Sequence, residues 1–413
     1  MNYTKRNIEK QLNELIQTRP IIYLNGARQV GKSTLCNFLA NYADYITFDS
    51  PLILSSAKSA PETFINSLAS DKLNIIDEVQ FAPEIFPYLK IKTDENRLKG
   101  NNKQKFLLTG SANLLALPRL SEALVGRMSV LTLFPFSASE YYKTNISIMD
   151  RLFNDELKIS NYRKTDINEI IINSTYPEIA INSEIDRTKW FDGYLTTILS
   201  RDVKSLSDLK NSEAIITLLS VLSMRTGGLI NNTQIAKETG IDYRTFEKML
   251  TFAINSFMIF FIRPWAKPNK LNKRFVKSPK LYFTDCNFLL YIMKRSLKSI
   301  YDTDKQVYGH IFENFIASEL IKYAKLNNIE ISHFRTQSGK EADFVLENMS
   351  GDIIGLEVKS TESIDKKYIS GLLELKELCG ENFKKGIVLY SGNDLFPLED
   401  KIWAVPVSYF WGV

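Results

Sequence analysis

The stretch "NGARQVGKST" at residues 25–34 constrains this chain more than any other. It has the spacing Gly26-x-x-x-x-Gly31-Lys32-Ser33, in which glycines let successive backbone N–H groups face one concave anion site. Lys32 then reaches the β- and γ-phosphates of a nucleotide. The Ser33 hydroxyl, with Thr34 beside it, stands where Mg²⁺ is ligated. Such a loop works only after a buried strand and before a helix, because the phosphate rests on the free N–H groups and positive dipole of the helix N-terminus. Both neighbours are present. Ile21, Ile22, Tyr23 and Leu24 form an apolar run suited to a strand buried on both faces, with Pro20 at its start, and Leu35, Phe38 and Leu39 recur at helical spacing. The expectation is a P-loop that binds ATP with Mg²⁺.

A nucleotide-hydrolysing site needs a second half, a hydrophobic strand ending in acid, and "LNIIDEVQ" at 73–80 supplies it. Asp77 is expected in the metal shell and Glu78 as the general base that polarises the attacking water. A further strand, "KFLLTGSANLL" at 105–115, ends in Thr109, Gly110 and Ser111.

Taken in order, "GARQVGKST", "DEVQ", "LLTGSANLL", "LVGRM", "LFPFSASEY", "YPEI" and "LSRDV" resemble the predicted AAA-superfamily ATPases of bacteria and archaea that carry a C-terminal domain of unknown function. The resemblance runs through nearly the whole chain and implies roles for three residues. Ser111, at the end of the third strand, senses the γ-phosphate or positions water. Arg127 in "LVGRM" and Arg201 in "LSRDV" match arginines of the pattern; either could meet the γ-phosphate of a neighbouring subunit and make hydrolysis depend on a homo-oligomer. One departure is "INSTYPEI" at 171–178, where such proteins have glycines before Tyr-Pro-Glu.

At 413 residues the chain is too long for one ordinary domain, and 44% hydrophobic with 24% charged residues is a globular composition. Three widely spaced cysteines and two histidines make neither a disulfide framework nor a structural zinc site. The polar, amphipathic start and the lack of any long apolar run point to a cytoplasmic protein that does not enter the membrane. Net charge is only +5, so any nucleic-acid affinity has to come from clustering.

Charge does cluster in "RPWAKPNKLNKRFVKSPK" at 263–280, which carries Lys270, Lys273 and Arg274 among its seven basic residues and has no acid. It joins two strand-like runs, and before it lies a helix, a turn at Gly240 and a second helix. Helix-turn-helix plus hairpin is the pattern of a winged helix. Its second helix would present Arg244 and Lys248 to a DNA groove while the basic wing meets phosphates; the same fold also serves as a protein-docking module.

The last segment places Glu313 on an amphipathic helix, Asp343 at a strand start, and Glu357 and Lys359 on the strand "DIIGLEVKS". This order resembles the restriction-endonuclease-like PD-(D/E)xK core. Glu357 and Lys359 project to one face of a strand, so Glu357 can join Asp343 and Glu313 on a divalent cation while Lys359 activates water for phosphodiester attack. The pattern suits either a metal-dependent nuclease or a retained fold used for binding. The expected architecture is an AAA-type α/β core (1–145), a helical connector or lid (146–210), a winged helix (211–298) and a nuclease-like α/β domain (299–413).

Overall fold

The computed structural model describes residues 3–39, 43–111, 126–144, 146–154, 157, 165–202, 212–266 and 278–411. Two compact units emerge: Arg6–Pro135 with the short stretch Ala253–Phe257, and a larger one built mainly from Phe136–Phe252 and the chain from Met258 onward.

The first unit is built on a parallel sheet. Its strands are β1 (Ile21–Asn25), β2 (Ala43–Thr47), β3 (Leu73–Asp77), β4 (Lys105–Gly110) and β5 (Met128–Thr132), in the order β2-β3-β4-β1-β5. Burial follows position: β1 is buried throughout and β3 and β4 nearly so, whereas the edge strands are half-buried. Continuous apolar runs are what a central strand covered on both faces requires. Phe48, Phe64, Phe86, Leu89 and Leu108 belong to one core packed on this sheet. The order puts β4 between β1 and β3, so the ends of all three strands meet at one edge.

The second unit holds an eight-stranded sheet. Its strands are β6 (Ile259–Pro264), β7 (Lys280–Phe283), β8 (Glu330–Arg335), β9 (Glu341–Glu347), β10 (Ile353–Lys359), β11 (Phe383–Tyr390), β12 (Phe396–Glu399) and β13 (Ile402–Pro406), ordered β12-β13-β11-β10-β9-β8-β6-β7. β6 and β7 form the antiparallel hairpin expected from the sequence, preceded by helices Ser212–Ser223, Asn232–Thr239 and Tyr243–Asn255. The hairpin does not stand apart: Arg263 and Pro264 of β6 pair in parallel with Ser332 and His333 of β8. One sheet carries across residue 298, and one compact unit spans both 210 and 298.

The motif "FPFSASEY" closes this unit. Ser137 and Glu140 form a reciprocal capping box. The Ala138 N–H donates to Glu319 Oε2 at 3.0 Å, the hydroxyls of Ser139 and Tyr323 lie 2.5 Å apart, and Lys322 Nζ donates to the Phe136 carbonyl at 3.0 Å. These bonds fix residues 136–140 to helix Lys305–Ala324. "YPEI" is likewise structural: the Tyr176 ring is buried against Trp190, Phe191 and Tyr194. Among the described residues no helix is long and apolar enough to cross a membrane.

Candidate functional site

At the carboxyl edge of the first sheet, β1 ends in Asn25 and the chain turns through Gly26 into helix Lys32–Leu39. Gly26 has φ +151°, and a Cβ there would lie 2.1 Å from the Leu133 carbonyl oxygen, so only glycine fits. Gln29 (φ 62°) and Gly31 (φ 96°) also turn left-handed, the backbone alternation that points N–H groups into a shared concavity. Arg6, a buried residue from the N-terminal arm, supports this loop by donating to the Val30 carbonyl at 2.8 Å and the Phe134 carbonyl at 2.6 Å.

Lys32 is buried, and its ammonium donates to the Gly26 and Ala27 carbonyls at 2.9 and 2.8 Å. Burial pulls its pKa down to about 8, against the attraction of Glu78 and Asp77. Ser33 and Thr34 are exposed on the first helical turn. Asp77, at the end of β3, is buried and held on both oxygens: Thr109 and the Glu78 N–H donate to Oδ1, and Tyr45 donates to Oδ2 at 2.6 Å. Oxygen ligands from a hydroxyl and a carboxylate suit a hard cation that keeps much of its water shell.

Glu78 adopts a left-handed backbone (φ 60°), uncommon outside glycine. Burial raises its pKa, with Lys32 and Gln80 pulling the other way. Gln80 donates to Glu78 and, at 3.2 Å, to Ser111. Ser111 therefore lies beside Glu78, reaching it at 3.5 Å. The sequence reading named Lys32, Ser33, Asp77, Glu78 and Ser111; it missed the roles of Tyr45, Gln80, Thr109 and Arg6. A tyrosine in the middle of the strand after the P-loop helix carries no spacing signal, and neither does Arg6, 20 residues upstream of Gly26.

The arginines fare differently. Arg127 makes a two-point ion pair with Asp94, at 2.7 and 2.9 Å. It precedes β5, whose Met128 pairs with Ile21 at the amino end of β1, so it sits a strand length, roughly 15 Å, from the P-loop edge. Arg201 falls in the π-helical turn Ile198–Asp202, and its side chain lies outside the described residues.

In the second unit, Glu313, Asp343, Glu357 and Lys359 do converge. The Asp343 carboxylate accepts from the Val358 N–H at 2.9 Å, and Lys359 Nζ lies 2.6 Å from Glu357 Oε1. The expected metal position, however, is taken by an ammonium. Lys280, the first residue of β7, places Nζ 3.0 Å from Glu313 Oε1, 3.0 Å from Asp343 Oδ1 and 3.4 Å from Glu341 Oε1. Tyr282 adds a 2.6 Å hydrogen bond to Glu313. Among the described residues no group of three ligating side chains is disposed to hold a metal ion. In this structure one oxygen each of Glu313 and Asp343 is turned to Lys280, and one of Glu357 to Lys359.

Charge follows this geometry. Burial alone would discharge Lys280, but Asp343, Tyr282 and Glu313 hold its pKa well above the usual value. Burial would raise Asp343, yet Lys280 and Lys359 bring it below the ordinary carboxylate range. Glu313 is pushed to about 7 by burial and Asp343, and Glu357 well above its usual value by the same two causes. Lys280 was one of the seven basic residues of 263–280; it is 4% exposed and cannot meet a phosphate on a surface wing. Lys270, Lys273 and Arg274 lie outside the described residues, while Arg244 and Lys248 are exposed on helix Tyr243–Asn255.

Comparison with known proteins divides the chain into three segments. Residues 18–142 match a family described as an AAA domain, residues 164–299 a domain of unknown function (DUF8612), and residues 308–410 another (DUF4143). Uncharacterized proteins of Mycobacterium tuberculosis and Mycobacterium bovis are each 26% identical over 407 residues, covering 98% of this chain and 84% of theirs. Similar solved structures include a Walker-type ATPase of Pyrococcus abyssi (15% identity, 70% of this chain and 96% of that one, TM-score 0.41). A RuvB variant of Thermotoga maritima (17%, 62% and 88%, 0.31) and the replication initiator DnaA bound to AMPPCP and single-stranded DNA (15%, 61% and 88%, 0.30) are further examples. The N-terminal unit thus carries an AAA-type P-loop domain, followed by two segments of families without assigned function.

Proposed function

We propose that this protein binds and hydrolyses ATP and uses the nucleotide state to control DNA engagement by its C-terminal half. The observation that carries the first part is the meeting of Lys32, Asp77, Glu78 and Ser111 at one sheet edge, each on a different local support. Lys32 neutralises phosphate oxygens, and Ser33 and Asp77 would hold Mg²⁺, which when bound draws charge from the β- and γ-phosphates. Glu78, its basicity raised by burial, takes the proton of the attacking water. Gln80 orients that carboxylate, and Ser111 stands where the γ-phosphate or water is positioned. Arg201 is the arginine we assign to a neighbouring subunit's γ-phosphate; Arg127 is committed to Asp94.

The DNA reading rests on exposed Arg244 and Lys248 at the start of the second helix of a helix-turn-helix, with Arg263 exposed on the adjoining hairpin. No cleavage step is assigned to Asp343, Glu357 and Lys359. Fluorescence anisotropy with labelled duplex DNA and ATP tests this. The protein should bind with affinity that falls steeply with salt, and Arg244→Glu with Lys248→Glu should weaken it at least about tenfold and flatten the salt slope. Absence of salt-dependent binding would instead favour a nucleotide-gated module that docks a protein.

A further inference from the structure

We infer that Lys280 is the resident cation of the acid cluster in the second unit. The chain thereby closes this site to Mg²⁺ and Mn²⁺, and the carboxylates of Glu313, Glu341 and Asp343 form a divalent-cation site only once that ammonium is removed. The inference rests on the reading of this half as non-cleaving, and it is independent of whether the P-loop turns over ATP.

Four acids from three elements surround the point: Glu313 from helix Lys305–Ala324, Glu341 and Asp343 from one face of β9, and Glu357 from β10. A divalent ion needs such oxygens at roughly 2.0–2.6 Å, and three of the four acids give an oxygen to Lys280 within 3.4 Å. An ammonium and a metal cannot share them, because both need the same lone pairs and repel each other at that separation. Nor is Lys280 a loosely hung surface lysine. Its backbone is fixed by pairing with Ile262 in β6 and by a bridge to Leu229, and its side chain is 5% exposed. The tethered cation is delivered by the sheet.

A second observation shows that the site has more acceptor capacity than the lysines use. Glu357 is 6% exposed, adjoins Asp343, and among the described residues its Oε2 has no hydrogen-bond partner. Two ammonium groups, Lys280 and Lys359, and the Arg335 guanidinium, 3.5 Å from Glu341, face four carboxyl groups, so acid outnumbers cation by one. Replacing one ammonium by a divalent ion would supply the missing charge. Lys280 therefore also staples the β6–β7 hairpin to helix Lys305–Ala324 and β9, using a position that in a metal-bearing site would belong to the ion.

The test is Mn²⁺ binding to the full-length protein without nucleotide, by electron paramagnetic resonance, with melting temperature in parallel. The wild-type chain should show no Mn²⁺ binding that depends on Asp343. Lys280→Ser should melt lower, bind one Mn²⁺, and recover part of the lost stability when Mn²⁺ is added; Asp343→Asn in the same chain should remove both effects. Lys280→Arg, which keeps the charge, should bind none. If Lys280→Ser does not fold metal-free, Lys280→Gln replaces it, and folding of either variant only in Mn²⁺ supports the inference equally. Asp343-dependent Mn²⁺ binding by the wild type, or a folded Lys280→Ser that binds none, overturns the inference.

Discussion

Lys32 is a cation held where charge is poorly tolerated, and that gives the nucleotide site a titratable signature. Its folded pKa of about 8 lies below the ordinary 10.5, so its burial costs no stability above that higher value. The cost grows as the pH falls from 10.5 and is complete below about 8, where the folded side chain is charged as well. Phosphate oxygens favour the ammonium and raise the folded pKa. Nucleotide binding above pH 8 should therefore take up protons, approaching roughly one per site at pH 9, and little below pH 7. Calorimetry in two buffers of different ionisation heat checks this; Lys32→Met should abolish the uptake, and an unchanged uptake would assign it elsewhere. The residues that set this environment were legible where chemistry sits in one short stretch: Gly26, Gly31, Lys32 and the Asp77–Glu78 pair each announce themselves by spacing. Tyr45, Thr109 and Gln80 did not, because each acts through a hydrogen bond across the sheet edge that no local pattern encodes.

Strand order decides more than strand identity. β4 was readable as a strand ending in Ser111, but only its insertion between β1 and β3 brings Ser111 to Glu78. The Glu357-x-Lys359 reading placed both side chains on one face of β10, and they do meet. What periodicity could not give is the neighbour of β7: "PKLYFTD" reads as a strand, yet nothing in it says that Lys280 will face β9 and helix Lys305–Ala324 rather than solvent. Element position also bears on Arg127, which enters the edge strand β5 from the amino end and meets Asp94 of helix Phe86–Leu98. Arg127→Ala and Asp94→Asn should lower the melting temperature by small, similar amounts and leave ATP turnover per folded chain unchanged. Loss of turnover in Arg127→Ala alone would return the γ-phosphate role to Arg127.

At the scale of the molecule, the P-loop chemistry lies in a unit with its own sheet and core, and the ion cluster in a second unit whose sheet includes the β6–β7 hairpin. The two chemistries can therefore be separated by mutation. The central claim is that the first unit is an ATPase built on Lys32, Asp77 and Glu78. The most direct measurement is Mg²⁺-dependent phosphate release by the full chain, with ATP binding measured on the same preparations. Wild-type protein should release phosphate. Lys32→Ala should lose hydrolysis and bind nucleotide weakly, while Glu78→Gln should bind nearly as wild type and hydrolyse at least about a hundredfold more slowly. Turnover by Glu78→Gln at the wild-type rate would contradict the account.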